Sequence, residues 1–89
     1  MSHRAEVAFV TKEGCLPCLR IRRILGELKA ELPGIEIREV DFTSEEGVAL
    51  AVKNGILYPP AVFINSILFA KGKIMEGPMK DAVRKAAGE

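Results

Sequence analysis

The sequence predicts an α/β fold with the element order β-α-β-α-β-β-α, and three observations predict it. A continuous apolar run, Val7-Ala8-Phe9-Val10, is followed by a segment whose apolar residues Ile21, Ile24, Leu25, Leu28 and Leu32 recur at helical spacing. Loosely alternating Ile35, Ile37 and Val40 then complete a strand-helix-strand unit. Near the end, two short apolar segments flank Asn65-Ser66, a two-residue connection that suits a tight hairpin.

The elements follow in order. Ala5 to Thr11 reads as a buried strand because its apolar run stops only at Lys12-Glu13-Gly14. Pro17 to Leu32 reads as an amphipathic helix that ends before Pro33-Gly34. The second strand closes on Asp41. Thr43, with Glu46 three residues on, has the spacing of a capping box, and Gly55 suits a helix stop, so a second helix spans roughly Ser44 to Asn54. Ala61 to Ile64 and Ile67 to Ala70 are the third and fourth strands. Pro78 suits the start of a last helix whose apolar stripe is Met79, Ala82, Val83 and Ala86. Met75 and Met79 are expected to be packing residues.

Residues 1–89 are expected to form a single domain, since one core serves chains well beyond this length. Hydrophobic residues make up 48% and charged residues 28%, which places the chain among globular proteins rather than disordered ones. A formal net charge of +1 argues against nucleic acid as a partner, because phosphate-binding faces bring a basic excess. Arg20, Arg22 and Arg23 read first as a solvated helix face and second as a docking patch. No apolar run reaches a membrane span, and Met1-Ser2-His3-Arg4 does not open a signal peptide, so the expected compartment is the cytoplasm, with no membrane partner.

Two cysteines are too few for a secreted disulfide scaffold, and in a reducing compartment a close pair points to chemistry. Cys15-Leu16-Pro17-Cys18 lies where a strand gives way to a helix. A thiolate is the species that attacks a disulfide, and unpaired N–H groups at a helix start favour it, so the Cys15 thiol is expected to titrate below its free value. Pro17 fits the first turn, where no N–H is needed. On a helical wheel Cys18 falls at the edge of the core sector and Cys15 further out, which makes Cys15 the expected nucleophile and Cys18 the resolving thiol. Leu16 and Leu19 point away from the core and could form an apolar rim for a docking partner. Arg22 falls on the Cys15 side, and Lys12 is the nearer cation by sequence.

Other uses of the pair remain open. Zinc needs four ligands, and beyond the cysteines the chain offers His3 and carboxylates. An iron–sulfur cluster shared by two chains, or an inert pair in a binding module, would use the same residues without turnover. The main reading requires no metal and no resident cofactor.

Tyr58-Pro59-Pro60 leads straight into a strand, where a cis X-Pro bond would make a sharp turn. Together with Pro60-Ala61-Val62-Phe63-Ile64-Asn65 and Phe9-Val10-Thr11-Lys12-Glu13-Gly14-Cys15, it resembles the thioredoxin-like superfamily, its small glutaredoxin branch in particular, over essentially the whole chain. The resemblance implies a four-stranded mixed sheet flanked by three helices, with a cis-proline at Pro60 beside the cysteines and Pro59 supplying the preceding carbonyl. It implies a substrate site that includes Lys12, Leu16, Pro59 and Pro60, with Lys12 placed where glutaredoxins contact the carboxylate of glutathione. It also implies a thiol:disulfide oxidoreductase with roles in electron transport and cell redox homeostasis. Its expected partners are disulfide-containing proteins and an electron donor, either glutathione or a reductase, and a monomer is expected. The chain departs from thioredoxins in lacking an Asp in the first strand and in having Gly14 before the first cysteine. It departs from glutaredoxins in having Ala70-Lys71-Gly72 in place of a Gly-Gly pair and Pro17 directly before Cys18.

Overall fold

The computed structural model describes residues 5–88. The elements are β1 (Glu6–Thr11), α1 (Leu16–Glu31), β2 (Glu36–Asp41), α2 (Glu45–Asn54), β3 (Ala61–Ile64), β4 (Ile67–Lys71) and α3 (Glu76–Ala86). One four-stranded sheet has the order β2-β1-β3-β4. β1 pairs parallel with β2, from Glu6↔Glu36 to Thr11↔Asp41, and antiparallel with β3, which pairs antiparallel with β4. The sheet is therefore mixed and flanked by three helices, as the resemblance implied.

β1 is central and covered on both faces, which explains its unbroken apolar run. Val7 and Phe9 face one way, into a cluster with Cys18, Ile21, Leu25 and Leu28 of α1 and Met79 and Val83 of α3. Ala8 and Val10 face the other way, against Val40, Ile56 and Phe63, with Leu50 and Ala51 of α2 beside them. Period-two alternation thus divides a single strand between two core layers. Full burial of a side chain such as Met79 or Val83 is worth about 1.5–3 kcal/mol. Such packing holds α3 to α1 more than the exposed pairs Arg84–Glu31 and Lys80–Glu27 do, since surface ion pairs contribute little.

Three local expectations are corrected. The N-cap of α2 is Ser44, whose hydroxyl accepts from Gly47 N at 3.0 Å, and not Thr43. Thr43 is held instead by the Asp41 carboxylate, which accepts from both its N–H and its hydroxyl, while Glu46 pairs with Arg38. α3 begins at Glu76 with Met75 as N-cap, so Pro78 is its third residue rather than its start. That position still has no intrahelical acceptor for an N–H, so proline costs no hydrogen bond there. Met79 is fully buried, but Met75 is 57% exposed and is not a packing residue. Gly55 does cap α2, at a left-handed φ of 64°, and Asn65 and Ser66 form the hairpin turn with positive φ of 50° and 68°.

No helix among the described residues is long and apolar enough to cross a membrane. The opening Met1-Ser2-His3-Arg4, including the candidate ligand His3, lies outside the described residues.

Candidate active site

The end of β1 and the start of α1 set the cysteines. After Thr11 the chain turns through Gly14, whose φ of 85° is one that a side chain would strain, and Cys15 N donates to Lys12 O at 3.1 Å. This turn delivers Cys15 as the N-cap of α1 in an extended conformation, with Pro17 in the first turn where its missing N–H is not needed. The Cys15 Sγ accepts the Cys18 N–H at 3.2 Å, so the sulfur takes the place usually filled by a Ser or Asp oxygen. No acidic side chain lies in this first turn to oppose a negative sulfur.

Cys15 and Cys18 are joined in a disulfide with their Cα atoms 5.3 Å apart. The two sulfurs have different surroundings. Cys18 is 1% exposed and belongs to the core cluster with Ile21 and Phe9, whereas Cys15 is only partly buried against it. The helical spacing places Cys18 on the inner face, one turn after a residue that looks outward.

One groove is lined by both cysteines, and a second passes Pro17 between them. The first, of about 520 Å³, is bordered by Thr11, Lys12, Cys15, Leu16, Cys18 and Leu19, with Arg22, Glu39 and Asp41 along its far wall. Leu16 is 75% and Leu19 55% exposed, forming an apolar lip beside the disulfide. The second, of about 460 Å³, runs past Pro17, Ile21, Tyr58, Pro60, Lys73 and Met75. The Pro59–Pro60 peptide is cis, Pro60 is fully buried, and its carbonyl accepts from Gly72 N at 2.8 Å.

Of the residues singled out from sequence, Lys12, Leu16, Cys15 and Cys18 share the first groove and Pro60 lines the second. Pro59 lines neither of these two grooves. Tyr58, Lys73 and Met75 were missed; Tyr58 stands two residues before Pro60, and the strand order brings Lys73 and Met75, distant in sequence, to the same groove. Thr11 was also passed over, although its place at the end of a buried strand directly before the cysteine loop was a signal.

The basic cluster is paired internally. Arg22 Nε and Nη2 donate to Glu39 at 2.8 and 3.0 Å, and this hydrogen bonding, reinforced by the charge, raises the pKa of the guanidinium. Arg23 pairs with Glu27, and Arg20 Nη1 donates to the Ile74 carbonyl at 3.0 Å. Asp41 titrates below its ordinary range, first because the hydroxyl and then because the N–H of Thr43 bond its carboxylate, with Lys12 adding a smaller attraction. Among the described residues no three His, Cys, Asp or Glu side chains gather into a group that could hold a metal ion.

No family model and no curated protein matches the sequence. Solved structures do match. An uncharacterized thioredoxin-like protein from Clostridium perfringens superposes with a TM-score of 0.76 at 14% identity, covering 100% of this chain and 76% of that one. The fold is a thioredoxin fold. Oxidised thioredoxin from Plasmodium falciparum matches with a TM-score of 0.68 at 20% identity, over 94% of this chain and 82% of its own. A mutant thioredoxin from Halobacterium salinarum gives 0.68 at 21% identity, over 96% of this chain and 76% of its own. Within the thioredoxin fold, the disulfide lies at the N-terminus of the first helix, and Pro17 between its cysteines shares a groove with the cis-proline Pro60.

Proposed function

We propose that the protein is a thiol:disulfide oxidoreductase that reduces disulfides by dithiol exchange through Cys15 and Cys18. The observation that carries this reading is the unequal placement of two bonded sulfurs. Cys15, at the helix N-cap, can be reached by a substrate, and Cys18 lies one turn behind it in the core.

In the reduced protein the Cys15 thiolate attacks one sulfur of a substrate disulfide, R–S–S–R′. The S–S bond breaks, R′–S⁻ leaves and takes up a proton, and Cys15–S–S–R forms. The Cys18 N–H and the positive end of α1 favour the thiolate before attack. Cys18 then attacks Cys15 Sγ and releases R–S⁻, which is protonated in turn. The substrate has gained two electrons and the protein holds the Cys15–Cys18 disulfide. An extended segment of a protein substrate docks against Leu16 and Leu19 and along the Pro60 turn.

Glutathione or a reductase restores the dithiol, in a cytoplasmic monomer acting on protein disulfides. Lys12 lines the same groove as Cys15 and could meet a carboxylate of the tripeptide. Disulfide reduction assayed separately with glutathione plus its reductase and with thioredoxin reductase tests activity and donor together. Cys15→Ser is expected to abolish turnover, while Cys18→Ser accumulates a mixed disulfide with substrate. Equal activity in the two variants would sink the reading.

A further inference from the structure

Cys18 is buried, and to attack the mixed disulfide it must become a thiolate where water cannot solvate it. Some neighbouring group has to accommodate the charge.

The charged side chains bordering the first groove all lie on its exposed rim. They are Lys12 and Glu13 of the loop, Arg22 of α1, and Glu39 and Asp41 of β2. Arg22 and Glu39 are bonded to one another, and the Asp41 carboxylate is held by Thr43. Thr11 is different. It is 8% exposed, and among the described residues it is the one polar side chain in the buried set. Its Oγ1 is sealed from solvent and finds no hydrogen-bond partner. By strand alternation it projects to the face of β1 that carries Val7 and Phe9, the face on which Cys18 is packed, and it borders the same groove as both cysteines. Orphaned buried hydroxyls are rare, since each costs its full desolvation.

The structure is that of the oxidised protein, in which Cys18 carries no proton and no charge. Resting on the oxidoreductase reading, we propose that the Thr11 hydroxyl is the hydrogen-bond partner of Cys18 in the reduced protein, donating its O–H to the Cys18 thiolate as that sulfur attacks Cys15. Cys18 gives up its proton to solvent, the Cys18–S⁻ electron pair forms the new bond to Cys15 Sγ, the bond from Cys15 to R–S breaks, and R–S⁻ takes up a proton from solvent. Once the disulfide has closed, the hydroxyl is again without a partner. The unpaired state burdens the oxidised form and the paired state favours the reduced form, so both effects push the equilibrium the same way.

The test is Thr11→Val, which keeps the shape and removes the hydroxyl, set against Thr11→Ser, which keeps it. Each protein is equilibrated with buffers of a reference dithiol and its disulfide, and the Cys15–Cys18 couple is read by thiol alkylation. Thr11→Val is expected to favour the oxidised form by roughly tenfold, since it removes both the hydrogen bond of the reduced form and the orphaned hydroxyl of the oxidised one. That is a potential about 30 mV more negative. Release of substrate from the mixed disulfide should slow by a similar factor, while initial attack by Cys15 is unchanged and Thr11→Ser stays close to wild type. A potential and release rate for Thr11→Val equal to wild type would overturn the proposal, as would Thr11→Ser behaving like Thr11→Val. The equilibration needs no substrate turnover. Wild-type protein that exchanges with the buffer yet reduces no protein disulfide would therefore overturn the oxidoreductase reading and leave the Thr11 comparison standing.

Discussion

The same substitution, glycine to alanine, is expected to act with opposite sign at two helical positions. In α1, Gly26 is exposed, and a Cβ built on it meets nothing within 4 Å. Alanine there contributes helix propensity alone, a gain of about 0.5–1 kcal/mol. In the first turn of α2, a Cβ on Gly47 would lie 2.0 Å from the Asp41 carbonyl oxygen and 2.9 Å from the Phe42 oxygen. Both are backbone atoms, and the approach is far inside the roughly 3.5 Å at which heavy atoms meet favourably. The helix start must therefore move off the end of β2, and overpacking of this kind costs about 1–3 kcal/mol or more. Since the propensity gain cannot exceed about 1 kcal/mol, the net for Gly47→Ala is a loss of about 1–2 kcal/mol. The two variants should differ by about 1.5–3 kcal/mol, equivalent to about 6 °C or more in Tm for a domain of this size. Urea and thermal unfolding of the oxidised proteins measure this directly. A Gly47→Ala protein as stable as wild type would refute the close approach of α2 to β2, and a destabilised Gly26→Ala would refute the open space on α1.

Two further outcomes are expected. Leu16→Asp removes an apolar lip and places a charge beside the disulfide, so KM for a protein disulfide should rise by about tenfold while attack on a small disulfide changes less; equal effects on the two substrates would show that the lip does not dock proteins. Glu27 and Glu31 both titrate below the ordinary 4.5, Glu27 because Lys80 and then Arg23 bond its carboxylate and Glu31 because Arg84 does. With folded values depressed, their contribution is present above the unfolded pKa and lost as pH falls through the folded one. Wild type and a Glu27→Gln, Glu31→Gln double variant should accordingly differ in stability at neutral pH and converge in acid, as the pH falls through the depressed folded values, which urea midpoints across pH would show.

What could be read from the sequence was mostly local. Cys15 and Cys18 lie within a turn, so strand, loop and helix periodicity were enough to assign one outward and one inward. Gly55 and Asn65-Ser66 were legible because their backbone conformations select residue types. Two misreadings came from local competition. Thr43 and Ser44 can both cap a helix, and the Asp41 carboxylate, reaching forward, takes Thr43 out of contention. Pro78 is tolerated anywhere in the unpaired first turn, so it marks a helix start only to within a turn. The rest was tertiary. Arg22 read as a solvated residue because Glu39 lies on another element, and the exposure of Met75 depends on how the chain leaves β4. The place of Thr11 before the cysteine loop was legible, but the burial of its hydroxyl was not, since that is decided by what packs over the end of the strand.

Because Cys18 is part of the core itself, redox state and fold stability belong to one thermodynamic cycle. The free energy by which the disulfide strengthens the fold equals the free energy by which the fold favours the disulfide over the same pair in an unfolded chain. Any substitution that distinguishes the bonded sulfur from the free thiol in that cluster, at Ile21 or Phe9 as much as at the cysteines, therefore changes the reduction potential. The interior of this small sheet protein is in that sense part of its electrochemistry, and the potential can be tuned from positions that no substrate touches.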